Sequence, residues 1–209
     1  MASIDVGAIV PSTRDMLQAI TTRRRNLALL ALLGNDRPAE SAARLAELNV
    51  SALACIEPGP ALQLAACSTK TVPSLCLMPV SDRDGCLQAR YFGADGVCID
   101  ALFPADEWDR LAKTARTMRM VPVALAVDEA GAVAAVKAGA RAVLVRAQST
   151  DVIVAAARSV PRTATVVGEV VGGDMAALRA LRGHVDAAVV PLAIHGADSF
   201  AEFVADVDP

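Results

Sequence analysis

Apolar residues along this chain come in blocks and do not alternate with polar ones. Short runs rich in Val, Leu and Ala occur at 27–33 (LALLALL), 51–56 (SALACI), 73–78 (PSLCLM), 95–100 (DGVCID), 121–127 (VPVALAV), 141–146 (RAVLVR), 164–170 (ATVVGEV) and 186–191 (DAAVVP). Their starts lie 24, 22, 22, 26, 20, 23 and 22 residues apart. Runs that are apolar throughout suit strands covered on both faces, which means a parallel sheet. Helical spacing fills the intervals, as in 40–48 and in 128–138, and several of these helices begin after Asp or Ser and stop at Gly, as at Ser81 to Gly93 and Asp128 to Gly139. A Gly-Ala step leads into the next strand at Gly93-Ala94-Asp95 and again at Gly139-Ala140-Arg141. Each parallel connection needs a crossover, and successive crossovers wind the same way. Eight units in a row predict a single-domain α/β (β/α)8 TIM barrel over 1–209, with an open doubly wound sheet as the structural alternative. The segment 1–25 precedes the first strand, and a short helix around Thr13 to Thr22 could cover the bottom of the barrel.

Composition sharpens this picture. Hydrophobic residues make up 54% of the 209 but aromatics only 3%, so the core is built from Ala, Val and Leu, and the chain is not disordered as a whole. A net charge of -3 leaves no basic excess for nucleic acid. The one basic run, Arg23-Arg24-Arg25, reads as a solvated helix end. Five cysteines, Cys55, Cys67, Cys76, Cys86 and Cys98, are odd in number and contain no CxxC pair. That pattern predicts reduced, buried thiols in a cytoplasmic protein, with neither a disulfide frame nor a zinc site. No secretory signal pattern and no apolar run long enough to span a bilayer is expected.

In a barrel of this kind the C-terminal ends of the strands carry function. The polar residues there are Asn35 and Asp36 after strand 1, Glu57 after strand 2, Asp100 at strand 4, Asp128 after strand 5, Arg146 and Gln148 at strand 6, Glu169 on strand 7 and His195 after strand 8. Asn35-Asp36 fits a turn and helix start, and Asp128 fits a helix N-cap. His184 falls in a turn and His195 in a short loop, neither with partners at metal spacing; no metal or cofactor is implied. Gly168, Gly172 and Gly173 could form a phosphate-binding turn or serve only a tight connection. Arg146 and Glu169 project from adjacent strands, where a charge is costly unless paired or wetted, so a mutual salt bridge is one expectation.

Several phrases are shared with a known family. Val72-Pro73-Ser74-Leu75, then Gln88-Ala89-Arg90-Tyr91-Phe92-Gly93-Ala94-Asp95-Gly96-Val97, resemble the corresponding stretch of indole-3-glycerol phosphate synthases. The similarity continues through Met16-Leu17, Asn26 to Leu33, Val127-Asp128-Glu129, Lys137-Ala138-Gly139-Ala140, Val166-Val167-Gly168-Glu169 and Asp186-Ala187-Ala188-Val189-Val190. The resemblance implies a ribulose-phosphate-binding barrel and a cofactor-free ring closure with decarboxylation. It also implies where the chemistry should stand, and most of those positions are replaced. The family's strand 1 Glu and Lys fall on Leu32 and Gly34, its general-acid Lys and the following Asp on Leu77 and Met78, its strand 5 Glu on Leu125 or Ala126, and its strand 6 Asn on Arg146. Of its strand 7 phrase only Glu169 is kept, beside Val170 and Val171. Its phosphate-binding Gly-Ser pair falls on Pro191-Leu192, and Glu57-Pro58 echoes a Thr-Glu-Pro. The loop after strand 1, which covers substrate in that family, is much shorter here.

A leucine supplies no proton at any pH, and each lost proton-transfer role costs about 10²–10⁴-fold. The expectation is a degenerate barrel, inactive in that reaction, with a scaffolding, regulatory or protein-binding role, either with a partner or as a homo-oligomer. The apolar mouth residues Leu32, Leu77, Met78, Val170, Val171 and Leu192 motivate it. A second reading is another enzyme that holds a small phosphorylated or carboxylate ligand through Arg146, with Glu169 as base and Asp100 or Glu57 assisting. A third is a true synthase working through a different residue set.

Overall fold

The computed structural model describes Gly7 and residues 9–207. After a short helix α1 (Met16–Ile20), strands and helices alternate: β1 (Ala28–Leu32), α2 (Pro38–Glu47), β2 (Ala52–Cys55), α3 (Pro60–Ser68), β3 (Ser74–Val80), α4 (Arg83–Tyr91), β4 (Gly96–Asp100), α5 (Ala105–Thr117), β5 (Val121–Ala126), α6 (Glu129–Lys137), β6 (Ala142–Ala147), α7 (Thr150–Ser159), β7 (Thr165–Val170), α8 (Met175–Leu181), β8 (Ala187–Val190), α9 (Leu192–His195) and α10 (Phe200–Val207). All strand pairs are parallel and the sheet closes, β8 returning to β1 through Ala28↔Ala187 and Leu30↔Val189. The eight apolar runs are the eight strands, so the barrel is formed and the open sheet is not. The glycine stops work as the spacing suggested. Gly93 and Gly139 have φ of 102° and 94°, a region open to glycine at no steric cost, and each turns a helix into the next strand.

Two apolar layers result. One lies between strands and helices, where Trp108, Phe200 and Phe203 are the fully buried aromatic rings. The other fills the barrel axis with Ala28, Leu30, Ala52, Ala54, Leu75, Leu77, Cys98, Val123, Ala142, Leu144, Val167, Ala187 and Val189. Alanines facing leucines let opposing strands interdigitate without voids. The floor of this second layer is Met16 and Ile20 of α1, both fully buried against it. Asp15 caps α1 by accepting the Gln18 N–H. The helix is thus shorter than Thr13 to Thr22, but it does close the bottom.

Two buried carboxylates to which the sequence reading assigned no role tie the bottom together. Asp95, just before β4, accepts the Ser74 N–H at 2.9 Å and the Ser12 hydroxyl at 2.6 Å, and pairs with Arg14 at 2.7 Å and Arg90 at 2.9 Å. Arg14 also donates to the carbonyls of Ala66, Thr69 and Gly93, which locks the N-terminal segment onto the barrel. Asp186, just before β8, makes the matching bond to the Val166 N–H at 3.0 Å, but its nearest guanidinium, Arg24, stays 4.0 Å away.

Candidate functional site

The C-terminal mouth is organised by Arg146 and Glu169. They occupy paired positions on β6 and β7, so both side chains leave the sheet on the axial side at the same height. Arg146 Nε donates to Glu169 Oε2 at 2.8 Å, and the pair retains some solvent contact, at 31% and 20% side-chain exposure. Arg146 Nη2 reaches the Leu77 carbonyl at 3.5 Å. Beneath them Cys98 is wholly buried on the axis, and burial pushes its thiol well above the usual range. The salt bridge is therefore present, and it consumes the charge of each member.

The other candidates do not join it. Asp100 ends β4 and turns its carboxylate to the Leu102 N–H at 2.9 Å, which closes its own loop. Glu57 is exposed after β2, beside a cavity of about 190 Å³ lined also by Leu33, Asn35, Cys55 and Leu192. Asp128 is the N-cap of α6 and accepts the Gly131 N–H at 2.8 Å. Asn35 and Asp36 lie in the exposed bend before α2, and Gln148 is exposed after β6. His184 occupies the turn before β8. His195 is not in a loop: it ends the four-residue helix α9, is buried, and its Nε2 lies 2.6 Å from the Leu32 carbonyl. This contact fastens the segment after β8 onto β1.

The glycines in and after β7 serve packing and the turn into α8. Gly168 lies within the strand and faces outward, where an added Cβ would stand 2.9 Å from Leu181 Cδ1 and 3.1 Å from Ile153 Cγ2. It is a packing glycine that brings α7 and α8 close to the sheet. Gly172 (φ 71°) and Gly173 form the turn into α8, whose N-cap Asp174 already accepts the Ala177 N–H. The same occupation recurs at α4, where Asp82 accepts the Gly85 N–H. At α4, α6 and α8 the first-turn N–H groups are thus engaged by the protein's own carboxylates, at α7 by Ser149, and α2, α3 and α5 have no side-chain cap.

Around the central pair runs an apolar rim. Ile56, Met78, Leu102, Val127, Val171 and Leu192 sit at the ends of six different strands and are all exposed, Leu102 to 78% and Ile56 to 62%. On β3 the register slips between Cys76 and Val80, and Pro79, which has no N–H to give the ladder, sits in the slip. The irregularity puts Met78 out on the rim, its N–H held by the Ile56 carbonyl at 2.8 Å. Leu77, at the position that the family resemblance would give to an acid, is 2% exposed and points down the axis. Outside the apolar ring stand Asp36, Asp82, Asp84, Asp106, Asp128, Glu129, Asp151 and Asp174, all exposed. Basic residues gather at the opposite helix ends, such as Arg44, Arg90, Arg116, Lys137, Arg158 and Arg179. Arg37 and Arg83 interrupt the carboxylates at the mouth, but the sorting otherwise follows the helix dipoles and leaves the border mainly acidic.

The cysteines depart from one expectation. Cys55, Cys76, Cys86 and Cys98 are buried, but Cys67 on α3 is exposed. Cys55 and Cys76 are paired positions on β2 and β3, their thiols donate to the Leu75 and Ile56 carbonyls at 3.6 and 3.9 Å, and the closeness of the two thiols pushes Cys55 up and holds Cys76 down. Among the described residues no group of three His, Cys, Asp or Glu is placed to hold a metal ion, and no helix is long and apolar enough to cross a membrane. No protein-family model matches the chain, and no curated protein matches it.

Proposed function

We propose that this barrel has given up chemistry at its mouth and uses that face to bind a protein segment that presents aliphatic side chains flanked by Lys or Arg. In this reading the chain descends from the indole-3-glycerol phosphate synthases that it resembles and no longer performs their reaction. The observation that carries the proposal is the ring of exposed aliphatic residues on six strand ends, set around a closed ion pair and inside an acidic border. Exposed apolar patches bordered by polar groups are characteristic of association surfaces. Complementary charge would steer the partner and fix its orientation.

The reading of Arg146 as an anion holder has less support. Its guanidinium is 2.8 Å from Glu169, the N-termini of α4, α6 and α8 are capped by Asp82, Asp128 and Asp174, and the mainly acidic border disfavours an approaching phosphate. A base at Glu169 would also have to abandon its partner.

The test is binding of fluorescent amphipathic helical peptides with a leucine face and either a lysine or a glutamate face. The lysine peptide is expected to bind with salt-sensitive affinity and to lose at least tenfold with Leu102→Asp combined with Leu192→Asp. Equal binding of both peptides, or indifference to the rim substitutions, would overturn the proposal.

A further inference from the structure

At the opposite end of the barrel a cavity of about 590 Å³ opens between the end of α1 and the entrances to β6 and β7. Five arginines line it: Arg23, Arg24, Arg25, Arg141 and Arg162. The run at 23–25 is therefore not a helix end, and although Arg23 and Arg25 are exposed as expected, the Arg24 side chain is not. α1 stops at Ile20, and the run forms a tight turn in which Arg23 and Arg24 take the left-handed region at φ 53° and 60°. Such backbone is disfavoured for a side chain as long as arginine and needs outside support. Asp186 supplies it by accepting the Arg24 N–H at 3.2 Å, while the Thr22 hydroxyl donates within hydrogen-bond range of the Asn26 and Asp186 carbonyls, at 2.8 and 3.0 Å.

The turn holds Arg24 in an unusual state. Its side chain is only 7% exposed, yet Nε and Nη2 are buried without a hydrogen-bond partner, and the nearest carboxylate, Asp186, is 4.0 Å from Nε. Asp186 spends its two oxygens on the backbone N–H groups of Arg24 and Val166. The contrast with Asp95, which takes two arginines at hydrogen-bond distance, is plain. Burial lowers the Arg24 pKa, and Arg162 adds to the lowering against the pull of Asp186. Among the described residues no carboxylate comes within ion-pair distance of Arg23, Arg25, Arg141 or Arg162. A buried guanidinium with idle donors is costly, and four more cations around it raise the cost.

We infer that this cavity is a binding site for a small molecule carrying two or more linked phosphate groups, with Arg24 as its buried anchor and Arg141 and Arg162 closing on it from the barrel side. Guanidinium groups offer paired N–H donors that match phosphate oxygens, and a diphosphate would neutralise several of them together. The chain as a whole carries -3 and the five cavity arginines are a local excess of positive charge within it, which favours a compact polyanion held in the cavity over a long one lying across the surface. The inference does not depend on what the mouth binds.

The probe is inorganic pyrophosphate, followed by calorimetry and thermal melting at 150 mM salt, with inorganic phosphate, ATP and a 20-base-pair DNA duplex as comparison arms. Pyrophosphate or ATP is expected to bind at micromolar concentration and raise Tm, with phosphate at least tenfold weaker. Arg141→Glu with Arg162→Glu, both at exposed positions, should weaken pyrophosphate at least tenfold, and Arg162→Gln alone by several-fold. Lys113→Glu, on the outer face of α5, should leave it unchanged. Arg24→Gln should abolish binding, and because it removes a buried charge whose Nε and Nη2 donors are unused it should not lower Tm in the absence of ligand. Absence of binding by every phosphate compound, equal loss with Lys113→Glu, or tighter binding of the duplex than of pyrophosphate would each overturn the inference.

Discussion

The ion pair in the mouth can be weighed directly, because the account requires Arg146 and Glu169 to serve each other. Their side chains leave adjacent strands at paired positions and meet at 2.8 Å. At that separation two unit charges attract by about 6 kcal/mol at an effective dielectric constant near 20, an upper bound. Exposure of 31% and 20% lets water screen the pair, and partial burial of each group takes back much of the remainder. The expected coupling energy is about 1–2 kcal/mol, above a surface pair because the strands hold both groups in place. Urea unfolding of Glu169→Gln, Arg146→Gln and the double variant measures it. Each single substitution should cost about 1–2 kcal/mol, and the double variant should cost little more than either. Coupling should shrink in 1 M salt. A coupling energy below about 0.3 kcal/mol would refute the reasoning, since each residue would then be free for some other partner.

Three further outcomes follow from the packing. Asp95→Ala, which strands Arg14 and Arg90 at the bottom of the barrel, should cost about 3–5 kcal/mol in urea unfolding, far more than loss of an exposed pair such as Arg110 and Glu107. Gly168→Ala should cost about 1–2 kcal/mol, because its Cβ would press on Leu181 and Ile153, and the cost should fall when Leu181 is shortened to Val in the same chain. Burial pushes the Cys86 thiol up to about 11 from an ordinary 9.0. A raised thiol pKa means that the contribution is complete below pH 9 and is lost as pH rises toward 11, because the unfolded chain ionises first. Comparing wild type with Cys86→Ala in reducing buffer, the stability difference should shift by about 2 kcal/mol between pH 8.5 and 11, and a pH-independent difference would contradict the burial argument.

The fold was legible in the sequence because a parallel strand buried on both faces has no polar side to interrupt its apolar run, and because Gly93 and Gly139 mark helix ends through their positive φ. The Arg146–Glu169 pair was legible too, since consecutive parallel strands of nearly constant spacing place their last charged residues side by side. What escaped depends on distances that spacing does not encode. Asp95 and Asp186 each precede a strand, and that shared position was the available signal, yet only the folded chain shows that Asp95 is saturated by two arginines and Asp186 is not. The run Arg23-Arg24-Arg25 looked solvated because α1 was expected to extend to Thr22. The helix ends at Ile20, and the turn that follows swings Arg24 inward against β8. Gly168 was ambiguous because a glycine for close helix packing and a glycine for a phosphate turn leave the same letter, and His195 because four residues are too few to show helical spacing.

The central claim is that the mouth lacks the groups needed for ring closure and decarboxylation of a carboxyphenylamino-deoxyribulose phosphate. Steady-state turnover of that substrate by the purified chain, followed through the fluorescence of the indole product, tests it most directly. The account predicts a rate indistinguishable from that of a Glu169→Gln variant and from buffer. Saturable turnover that disappears on Glu169→Gln would contradict it, and would mean that protons reach the substrate despite Leu77.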